Sequence, residues 1–175
     1  MDWKVELGLL WVIKSEAKSF DRDNIYTLHA PESGATQEQI DALQEQLGFV
    51  LDTQYTEFLR YVNGWTNFIQ NTRLLSTADI SGSSLFASIC ENLAERLPVV
   101  STRYGFEWTV DNCLPIGGSE RDLTVFVIER KKTNARIGWL RGEEVDAYDG
   151  FEQFFSSMVA YNKLLTEKLR ERAKR

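Results

Sequence analysis

The sequence predicts an α+β fold, a mostly antiparallel sheet flanked by helices, in a single domain spanning residues 1–175. Three observations carry that prediction. Apolar residues recur at helical spacing early in the chain and again at its end. Two strand-like runs, 123–129 and 136–141, are separated only by a short polar turn, so they must pair antiparallel. The order is helices, weak strands, helix, strong strands, helix, and this segregation argues against a parallel α/β sheet built from alternating units.

Residues 2–19 read as a helix, with Trp3, Leu7, Leu10, Trp11 and Ala17 on its apolar face. The stretch 20–34 reads as loop, with a short extended piece at 25–28 and Pro31, Ser33 and Gly34 as breakers. Thr36-Gln-Glu-Gln39 is a capping box: the Thr hydroxyl and the Gln side chain can satisfy two free amides. Ile40, Leu43 and Leu47 follow as an apolar stripe, and Gly48 suits a left-handed stop. Asp52 can cap a second helix that buries Tyr55, Phe58, Leu59 and Val62. Asn63-Gly64 predicts a sharp turn, because both residues tolerate positive φ. Residues 65–78 read as a hairpin with weak strands at 65–69 and 73–76, and 83–96 as a helix ended by Pro98. Residues 99–112 show no clear pattern. After the two strong strands, 143–148 reads as a short extended piece. A final helix from about Gly150 places Phe151, Phe155, Met158, Asn162, Leu165 and Leu169 on one face.

Ten Phe, six Tyr and five Trp exclude a disordered chain, and three prolines with eleven glycines exclude a fibrous repeat. The net charge is -6. Residues 163–175 hold six Lys/Arg and two Glu, so the rest carries 14 basic and 24 acidic residues, a net of -10. Phosphate binding needs clustered Lys and Arg, so an acidic body argues against nucleic acid and fits a basic protein partner. The basic end, Lys168, Arg170, Arg172, Lys174 and Arg175, is interrupted by Glu167 and Glu171 and reads as a frayed helix end. Cys90 and Cys113 sit beside apolar residues and form no C-x-x-C pair, so buried free thiols in a reducing compartment are expected. The first residues carry Asp2 and Glu6, and their apolar run ends without a small-residue cleavage site, unlike a secretory signal. No run approaches the ~20 apolar residues of a membrane span. The expected location is cytoplasmic.

Chemistry is sparse. The single histidine, His29, precedes Pro31 in a loop and reads as structural or solvated. One His and two separated Cys make no zinc site of the usual kind. Asp21-x-Asp23 begins like a calcium loop, but Ile25 stands where a third ligand belongs. Gly117-Gly118-Ser119 lacks the Gly-Lys-Ser/Thr ending of a phosphate loop, Glu120 would repel phosphate, and a turn is the better reading. The sequence therefore assigns no catalytic residue, no metal and no cofactor. The acids Glu143, Glu144, Asp146 and Asp149 could hold paired carboxylates for hydrolysis. They read first as a solvated surface loop, which can also dock a basic partner. Trp108, in the unpatterned stretch, is the best candidate for an exposed aromatic anchor, although a Trp folded back onto the core is the commoner state. Trp108, Glu143, Glu144, Asp146 and Asp149 are thus the expected partner-binding residues.

The run Ala35–Gly48, ending in Leu47-Gly48, then Asp52-Thr-Gln-Tyr-Thr-Glu-Phe-Leu59, then Asn63-Gly64, resembles the signature of the SUKH superfamily. Leu114-Pro-Ile-Gly117 resembles that family's strand ending in Gly. Two strands before Phe151-Glu-Gln-Phe-Phe155 resemble its strands leading to a Phe-rich last helix. The resemblance spans about residues 30–165. Asp52 departs from it, standing where the family usually has Pro; residues 66–112 do not match clearly; the N-terminal Trp-rich helix stands outside it. The superfamily includes fungal cell-wall-assembly regulators and many bacterial immunity proteins. The resemblance implies a protein-binding α+β domain without catalytic residues, in bacteria commonly encoded beside a polymorphic toxin that it binds. The readings that follow are an immunity protein occluding a basic toxin domain such as a nuclease, a regulatory or scaffold adaptor in signalling or cell-wall control, and a hydrolase using the acids at 143–149.

Overall fold

Asp2 starts the first helix by accepting hydrogen bonds from the amides of Lys4 and Val5, and α1 runs Trp3–Phe20. The computed structural model describes residues 1–97, 107–119, 121 and 123–174. The buried stripe of α1 passes through Trp3, Leu10 and Ile13. Trp11, expected on that face, stands one position round the helix from Leu10 and is 37% exposed. The capping box opens α2 (Gln37–Leu47) as the sequence predicts: the Gln39 amide donates to Thr36 Oγ1, and the Thr36 amide donates to Gln39 Oε1. Gly48, at φ +72°, ends it.

Asp52 does more than cap α3 (Thr53–Leu59). One carboxylate oxygen accepts from the Tyr55 amide at 2.9 Å, and the other accepts from the Ala135 amide at 3.1 Å, far away in sequence. In the following turn only Gly64 takes positive φ, at +111°. Asn63 acts through its side chain instead, accepting from the Thr77 amide at 2.7 Å and donating to Thr77 Oγ1 at 3.1 Å.

The first hairpin is β1 (Trp65–Ile69) and β2 (Thr72–Leu74). The expected second strand extended to Ser76, but Ser76 caps a short helix, α4 (Thr77–Gly82), in a capping box closed by Asp79. Helix α5 follows at Ser84–Arg96. Pro98 and residues 99–106 of the unpatterned stretch lie outside the described residues. The remaining strands are β3 (Cys113–Gly118), β4 (Val125–Glu129), β5 (Ile137–Leu140) and β6 (Glu144–Tyr148), and α6 (Phe151–Ala173) completes the chain. Gly117 and Gly118, expected in a turn, lie within β3 because they permit close approach. A Cβ on Gly117 would stand 2.8 Å from the Arg73 carbonyl oxygen, and one on Gly118 would stand 2.5 Å from Ile89 Cδ1.

The six strands pair antiparallel in the order β1-β2-β3-β4-β5-β6. One face carries Phe126, Trp139 and Tyr148 and is covered by α6. Phe154 stacks edge-on to Phe126 at 5.0 Å and to Tyr148 at 5.5 Å. Behind α6, Trp3 of α1 meets Phe58 of α3 at 5.2 Å and Phe155 at 5.3 Å, so aromatic rings join three helices into the main core. The other face carries Val125, Val127, Gly138 and Leu140; α5 and Trp108 lie against it. The basic end, read from the sequence as frayed, is helical among the described residues. Helix α6 continues to Ala173, where Arg170 pairs with Glu16 and Arg172 with Asp23.

Candidate functional site

The acids at 143–149 fall on the turn into β6 and along β6 itself, an edge strand of the sheet. Gly142, at φ +77°, lets the β5–β6 turn reverse, and the Arg141 amide closes it on the Glu143 carbonyl at 2.8 Å. Glu143 is exposed at the tip. Asp146 is half-buried and accepts from the Ala147 amide at 2.9 Å. Asp149 projects just before α6 with its side chain 89% exposed, 3.9 Å from Arg136 Nε.

Glu144 and Trp108 overturn their expected exposure. Glu144 pairs with Leu140 across the ladder, so its side chain points to the sheet face that Trp108 covers. It is 0% exposed, and Trp108 is 2% exposed. The Trp108 indole Nε1 donates to Glu144 Oε2 at 2.5 Å. The indole lies against Gly138, where a Cβ would come within 2.7 Å of Trp108 Cζ2. A buried carboxylate is costly unless it is hydrogen-bonded, and the indole N–H supplies such a bond. The missed signal is Gly138 itself: a glycine between Ile137 and Trp139, inside a strand, marks a close approach by another group. The structure therefore spaces Glu143, Asp146 and Asp149 along the β6 edge of the sheet. Trp108 and Glu144 form a structural pair beneath them.

The other chemical candidates resolve locally. Asp21 is buried, and its carboxylate accepts from the Ile25 and Tyr26 amides at 2.9 and 2.8 Å. Burial pushes its pKa up, but these amides and Lys18 outweigh it and hold the carboxyl below its ordinary range. It shapes a turn. His29 is exposed, and its carbonyl accepts from Trp65 Nε1 at 2.8 Å. Cys113 is buried and Cys90 half-buried rather than fully enclosed. Burial pushes the Cys113 thiol up to about 12 and raises Cys90 as well. Among the described residues, no group of three His, Cys, Asp or Glu could hold a metal ion. No helix among them is long and apolar enough to cross a membrane.

No curated protein matches the chain. The sequence model of the SMI1 / KNR4 family (SUKH-1) matches residues 34–157, well over half of the chain. The match begins at Gly34 and takes in the capping box, the Asn63-Gly64 turn, the six described strands and the Phe-rich start of α6. The chain belongs to the SMI1 / KNR4 family (SUKH-1).

Proposed function

We propose that this chain is a protein-binding domain without catalysis of its own, acting as an immunity protein that neutralises a cognate polymorphic toxin by direct contact. The observation that carries this reading is the acidic β6 edge of the sheet. Glu143 and Asp149 are exposed there and Asp146 lies between them, in a chain with 26 acidic and 20 basic residues. Such a surface matches a toxin domain whose own ligand is an anion, above all a nuclease with a basic groove. Membership of a family that includes bacterial immunity proteins supports the same reading. The chain would act in the cytoplasm, where a nuclease toxin meets its substrate.

The test is co-expression with the toxin domain encoded beside this chain's gene. Growth should be restored, and the two proteins should co-purify as a complex in which the toxin is unmodified. Toxicity that persists despite soluble expression of this chain would count against neutralisation, and a cleaved or modified toxin against simple occlusion. The adaptor reading, in signalling or cell-wall control, rests on the fungal members of the family and gains if no toxin gene adjoins. The hydrolase reading loses Glu144, whose carboxylate is sealed beneath Trp108.

A further inference from the structure

Helix α5 does not cover the whole second face of the sheet. It crosses at Gly118, where Ile89 sits on the strand, and leaves a trough toward β5 of about 200 Å³. The floor is apolar: Ile89 and Leu93 from α5, Val125 from β4 and Leu140 from β5, all buried. At the mouth Leu123 is 46% exposed, and at Gly142 an added Cβ would meet nothing within 4 Å, so that end is open. Two arginines, Arg96 from the last turn of α5 and Arg121 from the β3–β4 connection, line the same trough.

Several other arginines are paired with acids. Arg170 and Arg172 pair with Glu16 and Asp23, Arg136 approaches Asp149, and Arg73 pairs with Glu32 and Asp79. Among the described residues, neither Arg96 nor Arg121 has a carboxylate partner, although acids outnumber bases in the chain. A helix C-terminus favours a cation, which accounts for Arg96 alone. It does not account for Arg121, nor for both facing one apolar trough.

We propose that this trough is a binding site for an apolar carboxylate: one aromatic or branched aliphatic group on the floor, and a carboxylate held by Arg96 and Arg121. Size decides the class. Drug-sized and cofactor ligands need pockets of roughly 300 Å³ or more, whereas an apolar cavity of about 150 Å³ accepts a benzene ring. The trough therefore takes one side-chain-sized group. Guanidinium forks are the groups best matched to a carboxylate, and Asn92 and Ser88 on the α5 wall add neutral hydrogen-bonding capacity. A polypeptide's C-terminal residue carries both required parts on one α-carbon, and so does a small free acid. The site is independent of the toxin reading, and the probes below bind or fail to bind whether or not that reading holds.

The experiment titrates the ¹⁵N-labelled full chain with N-acetylphenylalanine, its amide, and a neutral hexapeptide ending in phenylalanine with a free or an amidated terminus. The free acids should shift the amides of Ile89, Leu93, Val125 and Leu140 and bind about ten-fold or more tightly than their amides, the discrimination expected of a charge-assisted hydrogen bond. Arg96→Gln and Arg121→Gln should each weaken the acids without lowering the melting temperature, and together they should abolish the preference for acid over amide. Ser88→Trp, an exposed change at the rim, should block all probes by filling the trough. A hexapeptide that binds more tightly than N-acetylphenylalanine identifies a chain terminus as the source; equal affinity identifies a free small acid. Equal binding of acid and amide, shifts confined to other surfaces, or arginine variants with parental affinity would each overturn the proposal.

Discussion

Trp108 and Gly34 show how far a residue's role depends on what the fold sets against it. Trp108 has no periodic neighbours in sequence, so its burial is decided by Gly138 and Glu144 on distant strands. Trp108→Ala should cost about 3–5 kcal/mol in chemical denaturation, the usual loss for a large buried ring. Trp108→Phe keeps most of the packing but removes the N–H from Glu144, and should cost about 1–3 kcal/mol. A Trp108→Ala protein with parental stability would return the residue to the surface. At Gly34 a Cβ would stand 2.0 Å from the Arg60 carbonyl oxygen, where backbone meets backbone and neither side can move aside cheaply. Gly34→Ala should therefore cost about 3 kcal/mol or more. Gly8, in the exposed middle of α1 with nothing within 4 Å of a Cβ, is the contrasting case: Gly8→Ala should stabilise by about 1 kcal/mol through helix propensity. Thermal denaturation of this pair should move in opposite directions.

At the scale of elements, what the sequence disclosed was whatever depends on near neighbours. The Thr36 capping box, the Gly48 stop and the α3 cap are local chemistry and were readable, as were β4 and β5 with the short turn between them. Helix α4 was not, because its capping box closes with Asp79 and the run is too short for periodicity. Strand β3 contains a proline and two glycines, so only the family resemblance pointed to it; its glycines are explained by Arg73 and Ile89 on other elements. The β1 edge shows another long-range device. Lys14 of α1 donates to the carbonyls of Asn67 and Phe68 at 2.6 and 3.1 Å, occupying acceptors on that edge strand. Burial pushes the Lys14 ammonium down to about 8. An unfolded Lys holds its proton to about pH 10.4, so between these values the unfolded chain binds a proton that the folded chain has released. Lys14's contribution to stability should accordingly rise with pH across that window and be flat below it. Unfolding free energies of the parent and Lys14→Met at about pH 7 and pH 10 check the sign. A difference that moves against the parent at the higher pH would mean that the bonds of the charged ammonium outweigh its burial.

For the whole molecule, charge is the feature that composition disclosed and the fold arranged. The acidic cluster was legible in the sequence, but which acids face solvent was not, because that depends on the β5–β6 register that turns Glu144 inward. The basic end of α6 is partly neutralised by Glu16 and Asp23, and exposed acids stand along the β6 edge of the sheet as well as on α2, at Glu38, Asp41 and Glu45. Exposed charges act on encounter more than on stability, since surface substitutions usually shift folding by under about 0.5 kcal/mol. Reversing Glu143, Asp146 and Asp149 to Lys together should leave the fold intact, whereas Glu144→Lys should unfold it by burying an ammonium where an indole N–H now points. On the proposed reading, this acidic edge steers a basic toxin domain onto the chain. That steering is tested most directly by the association rate constant with the toxin domain encoded beside this chain's gene, measured at low and at physiological salt. The parent rate should fall steeply with salt, and the triple reversal should be slower at low salt by about ten-fold or more, with a flattened salt dependence. A parent rate that does not change with salt, or a triple reversal that associates as fast as the parent, would contradict it.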